Sequence, residues 1–154
     1  MSKRKRLFWY SILGLLLVIQ VYPLSKPEVK AHNPNDIFNH VKVAGDIKIM
    51  IKTACYDCHS YEVTFPWYSN VAPVKWQIYS DINDGRAKLN FSKWALMDKA
   101  DQADALDNIA SEVDGNDMPL QIYPIMHPKA KLTKVQRKKI VDWANNYLDG
   151  LFDD

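Results

Sequence analysis

Cys55-Tyr56-Asp57-Cys58-His59 brings two thiols and an imidazole within five residues, and the chain of 154 residues has no other cysteine. Two cysteines three positions apart can add across the two vinyl groups of one haem, and a histidine directly after the second reaches the iron as an axial ligand. The motif points to one covalently held haem c, with Cys55 and Cys58 as thioether donors and His59 on the metal.

Other chemistries use these residues less well. A structural zinc site needs four ligands, and His32, His40 and His127 supply no second closely spaced pair. A redox dithiol shares the Cys-x-x-Cys spacing but normally follows a strand of a βαβ unit, and no segment here reads as a strand. A plain disulfide across so tight a loop leaves His59 without a role.

The elements that must hold this motif read as helices. Val43, Ile47, Met50, Ile51 and Ala54 recur at spacings of three and four, an apolar stripe running into Cys55. Residues 60–73 follow with turn formers and the aromatics Phe65, Trp67 and Tyr68; with Trp76, these are expected to pack around something large and flat. Pro73 suits the first turn of a helix that aligns Val74, Ile78 and Ile82, with Gly85 as its expected C-terminal cap. Ser92 is the expected N-cap of a helix running towards Glu112, broken by residues 114–117. Thr133 and Gln136 form a capping-box signature for a last helix that ends at Gly150.

Charge is unevenly spread. Lys3, Arg4, Lys5 and Arg6 supply four positive charges at the start, which leaves sixteen basic against eighteen acidic residues elsewhere. No basic stripe marks the folded part, so nucleic acid is not an expected partner. Residues 7–22 form an uncharged apolar run that extends to Leu24 if Pro23 is tolerated. With its basic flank, this run predicts a membrane anchor that keeps the N-terminus inside and the remainder outside. A cleaved signal peptide competes with it, because Val29-Lys30-Ala31 is an acceptable though distant cleavage site. Prolines 23, 27 and 34 read as an extended tether.

CYDCHS at 55–60, FPWYSNVAPVKW at 65–76, DGRAKLNFSKW at 84–94 and MPLQIYPIMHPKAKLT at 118–133 together resemble the haem-binding domain proteins of bacterial cell envelopes, a branch of c-type cytochromes. The resemblance runs from about residue 40 onward, with Phe65 standing where tryptophan is more usual. It implies an all-α, cytochrome c-like domain over residues 37–154 around the haem, placed after the transmembrane helix and linker that the apolar run and the prolines predict at 1–24 and 25–36. It also implies that the helix entering the motif crosses the C-terminal helix.

Met118, before Pro119 in a loop after a helix, is by this likeness the second axial ligand; Met126 and His127 are competitors close by, and His127 in the HP-x-A-x-L segment is the main rival. Arg86 is the expected donor to a haem propionate because guanidinium matches carboxylate, and Trp67, Tyr68 and Asn90 are further donors by resemblance. Iron held by His59 and Met118 has no open position. The expectation is therefore electron transfer rather than catalysis, on the periplasmic side of the cytoplasmic membrane, with a redox partner protein of the cell envelope. A peroxidase, a reductase or a haem-based sensor, each with a displaceable distal ligand, is the alternative.

Overall fold

A computed structural model describes residues 2–153, which form α1 (Lys3–Gln20), α2 (Ile37–His40), α3 (Gly45–Ala54), α4 (Tyr56–His59), α5 (Val74–Lys88), α6 (Lys99–Asp114), α7 (Tyr123–Met126) and α8 (Lys134–Gly150). Short 3-10 turns cover Trp67–Asn70, Phe91–Leu96 and Pro128–Ala130, and no strand occurs among the described residues. The all-α expectation holds.

The core is a pair of long helices joined by a third. α6 packs against α8, and α3 also packs against α8, the two helices that the resemblance brought together. Leu106, Ala110 and Val113 of α6 meet Ile140, Trp143 and Ala144 of α8, with Met50 and Ile51 coming from α3. Each fully buried aliphatic side chain there contributes about 1.5–3 kcal/mol by leaving water. The capping box forms as read: Gln136 N donates to Thr133 Oγ1 at 3.3 Å and Thr133 N donates to Gln136 Oε1 at 2.8 Å. α6 ends at Asp114, and Asn116 turns the chain with a φ of 65°.

Two helix boundaries differ from expectation. Ser92 does not open α6; the Phe91–Leu96 turn intervenes, capped by the Asn90 side chain, and Asp98 caps α6 by accepting from Asp101 N at 2.8 Å. A 3-10 turn brings positions i and i+3 into line, which is how Phe91 and Trp94 are both buried. Ser92 instead accepts from Tyr61 N at 3.0 Å.

Gly85 does not end α5 either, because the helix continues to Lys88. A Cβ at this position would stand 2.9 Å from the Cys58 carbonyl oxygen, so glycine is there for close approach. Gly85→Ala is expected to lose about 1–3 kcal/mol to overpacking, more than the ~1 kcal/mol that alanine gains in helix propensity. A urea unfolding midpoint equal to or above wild type would refute that reading.

The membrane span expected at residues 1–24 is not found among the described residues. α1 stops at Gln20 and opens on four cations, so its apolar part, residues 7–20, rises about 21 Å against a hydrocarbon core of about 30 Å. No helix among the described residues is long and apolar enough to cross a membrane. The end of α1 is tied to the domain: the Gln20 amide exchanges hydrogen bonds with the backbone of Ala72, and Lys75 Nζ donates to Gln20 O at 3.0 Å. Residues 25–36 lie extended along the domain, with Lys30 N donating to Tyr61 O and Pro27, Asn33 and Asp36 buried.

Candidate functional site

α3 delivers the chain into the motif, with Cys55 as its C-cap. Tyr56 then nails the motif to the core. Its ring lies between Phe38, at 5.4 Å and 9°, and Phe91, at 5.2 Å and 12°, and its hydroxyl donates to Asp36 Oδ1 at 2.9 Å. His59 N donates back to Cys55 O at 2.9 Å, closing α4 as one turn with both thiols on it, and Gly85 lets α5 press against Cys58.

Burial and the neighbouring carboxylate of Asp36 push the Tyr56 phenol well above the ordinary tyrosine range. A folded-state value above the unfolded one gives stability that is intact below pH about 10 and is lost as pH rises beyond it. Melting temperature should therefore fall above pH about 10, and Tyr56→Phe should flatten the fall. Equal alkaline slopes in the two proteins would contradict the assignment.

His59 faces a cavity of about 370 Å³. Its Nδ1 donates to Leu89 O at 3.1 Å, and because a carbonyl only accepts, Nδ1 carries the proton and Nε2 keeps its lone pair. Burial lowers the His59 pKa, with the Leu89 carbonyl opposing; the neutral, ligating form is favoured. Ile51, Ala54, Phe91, Ile109, Val113 and Ile140 make the cavity apolar. Cys55 opens onto the same space, and so do Met118 and Pro119.

Met118 comes from the loop after α6, where its N–H donates to Glu112 O at 3.1 Å and its carbonyl accepts from Arg137 Nη1 at 3.0 Å. Aligned apolar walls, one thiol, a fixed imidazole and a thioether suit a flat apolar macrocycle with a central metal. Among the described residues no group of three or more His, Cys, Asp or Glu is arranged to hold a bare metal ion.

Both thiols are free. Burial, with Cys58 nearby, pushes the Cys55 pKa up to about 12, and burial, with Asp57 and Asp81 adding to it, pushes Cys58 up to about 11. Reactive Cys-x-x-Cys dithiols depend on a lowered pKa, so this environment opposes exchange chemistry.

The remaining expected site residues do not line the cavity. Arg86 Nε donates to Ser60 O at 2.8 Å and its guanidinium lies 5.0 Å over the Tyr61 ring, though its buried Nη2 has no partner. Asn90 caps the following turn. Trp67 is exposed, edge-on to Tyr68. Tyr68 Oη and His127 Nε2 share a hydrogen bond of 2.9 Å, and His127 stacks on Tyr123 at 4.3 Å. Phe65 packs on Tyr79 and Trp76 on Tyr22, so the aromatic segment gathers on α5 and its neighbours.

Lys88 and Asn108 do line the cavity, and sequence reasoning passed over both. Lys88 stands two residues after Arg86 in the same segment, and Asn108 lies one turn before Glu112; that helical spacing was the available signal.

The model of a family described as haem-binding domain matches residues 14–146. No curated protein and no solved structure matches the chain.

Proposed function

The chain belongs to the haem-binding domain family, and on that premise we propose that it is a c-type electron-transfer domain, its one haem joined to Cys55 and Cys58 with His59 and Met118 as axial ligands. One observation carries this reading: a single apolar cavity has Cys55, His59 with its Nδ1 committed to Leu89 O, and Met118 on its walls. When bound, haem supplies a one-electron iron couple whose potential rises with a methionine ligand and burial.

The chain's own residues do the rest. Cys55 and Cys58 would fix the group's position, Leu89 O holds the His59 ring in one orientation, and the apolar walls would keep water away. Met118 would be the second protein ligand to the iron, and a site held by both His59 and Met118 would suit electron exchange rather than substrate binding. Lys88 and Asn108, which line the cavity, would be available as donors to the propionates.

Met118→Ala should abolish the weak near-infrared sulfur-to-iron band of the ferric protein, whereas His127→Ala should leave it. A ferric wild type that lacks this band, with a spectrum changed by His127→Ala and not by Met118→Ala, would move the ligand to His127. A high-spin ferric wild type would instead favour a peroxidase, reductase or sensor.

The same reading attaches the domain through residues 1–24 to the outer face of the cytoplasmic membrane, where it meets a redox partner of the cell envelope. Supporting this, α1 buries none of its residues, carries apolar side chains on all sides and begins with a basic cluster. Sedimentation with membranes that is equal for the full chain and for residues 25–154 would oppose the attachment.

A further inference from the structure

Met118 sits on a loop that two side chains tie down from different parts of the fold. From α8, Arg137 Nη1 donates to Met118 O at 3.0 Å and reaches Val113 O at 3.4 Å. Five residues further on, Tyr123 Oη donates to Asp57 Oδ2 at 2.6 Å, and Asp57 lies between the two cysteines. The other oxygen of Asp57 is also occupied, accepting from Thr64 N at 2.9 Å. The Tyr123 ring is held flat by His127, stacked at 4.3 Å and 12°, and His127 is held in turn by Tyr68. The loop carrying the thioether is thus fastened to the loop carrying the thiols and to the C-terminal helix.

The geometry points to Tyr123 and Arg137 as positioning residues for Met118, acting through Asp57 Oδ2 and through the Met118 carbonyl. This rests on Met118 being the axial ligand. A thioether is a weak ligand, and its occupancy depends on how often its loop swings away; an external ligand competes for the position it leaves. The hydrogen bond to the Asp57 carboxylate is of the charge-assisted kind, shorter and stronger than a neutral one. His127 enters this picture as a brace for Tyr123, which gives that histidine a role without the metal.

Imidazole is the probe, titrated into the ferric full-length holoprotein and followed by visible absorption. Tyr123→Phe keeps the stacked ring and loses only the hydroxyl, so imidazole affinity should rise about tenfold. Arg137→Met should raise it by about fivefold, and Arg137→Lys, which retains a donor, should recover part of that. The Asp57→Ala/Tyr123→Phe pair should bind no more tightly than Tyr123→Phe alone, because both remove one tie.

Ile37→Val, a core change in α2 remote from the loop, should leave the affinity unchanged, which separates positioning from general loss of stability. Wild-type affinity in Tyr123→Phe and Arg137→Met, with Met118→Ala much tighter, would overturn the positioning role and leave the ligand assignment standing. Equal affinity in wild type and Met118→Ala would overturn both.

Discussion

His59→Ala, produced in a host that matures c-type cytochromes, should yield protein with at least about tenfold less haem per chain than wild type. His59 is the one histidine that faces the apolar cavity, and its Nδ1 is already committed to Leu89 O. No other histidine is among the described residues that line the cavity. His127 is engaged with Tyr68 and Tyr123, and His40 Nε2 is paired with Pro34 O. His40→Ala should therefore retain full haem content, so the two variants together separate loss of a ligand from loss of any histidine. Full haem content and an unchanged spectrum in His59→Ala would remove the metal assignment.

Tyr56→Ala should lose about 3–5 kcal/mol of folding stability, the range for deleting a buried aromatic side chain. The residue is 2% exposed, between two stacked rings, and its hydroxyl is a partner of the buried Asp36 carboxylate. Tyr56→Phe keeps the stack but withdraws the donor. Asp36 Oδ2 already has no partner and Oδ1 would keep only Phe38 N, at 3.1 Å, so losing the hydroxyl, a hydrogen bond to a charged group, should cost about 1–3 kcal/mol. Because Tyr56 directly follows Cys55, the same substitutions should also lower the fraction of chains that carry haem. Urea unfolding and haem content measured on both variants check the pair; a Tyr56→Ala protein as stable as wild type would mean that the motif is held by something else.

Much of this site could be read from residue order, because its key parts are side chains of distinctive chemistry at fixed spacing. Cys55, His59 and the stripe from Val43 to Ala54 were legible for that reason, as was the capping box at Thr133. Met118 was reached through the resemblance, and it lines the same cavity as His59. What escaped was set by backbone and by distance. The carbonyl of Leu89 that orients His59 is a group every residue possesses, so no residue type announces it.

Gly85 looked like a helix end because glycine often is one, and only the approach of Cys58, 27 positions earlier, explains a glycine inside α5. Arg86 was assigned by its guanidinium, and residue type alone does not announce that its Nε donates to the Ser60 carbonyl. The apolar run at the N-terminus overstated the span because hydropathy counts residues 21–24, where the helix has already ended, with Pro23 unable to continue it.

The attachment itself is tested most directly by weighing the chain. The full-length protein, purified from a host equipped for cytochrome maturation and denatured before mass measurement, should weigh one haem more than its polypeptide, whichever N-terminus it retains. Its pyridine haemochrome spectrum should be of the c type, and Cys55→Ala/Cys58→Ala should lose both properties. A colourless product at the 17.8 kDa of the bare chain would contradict the account.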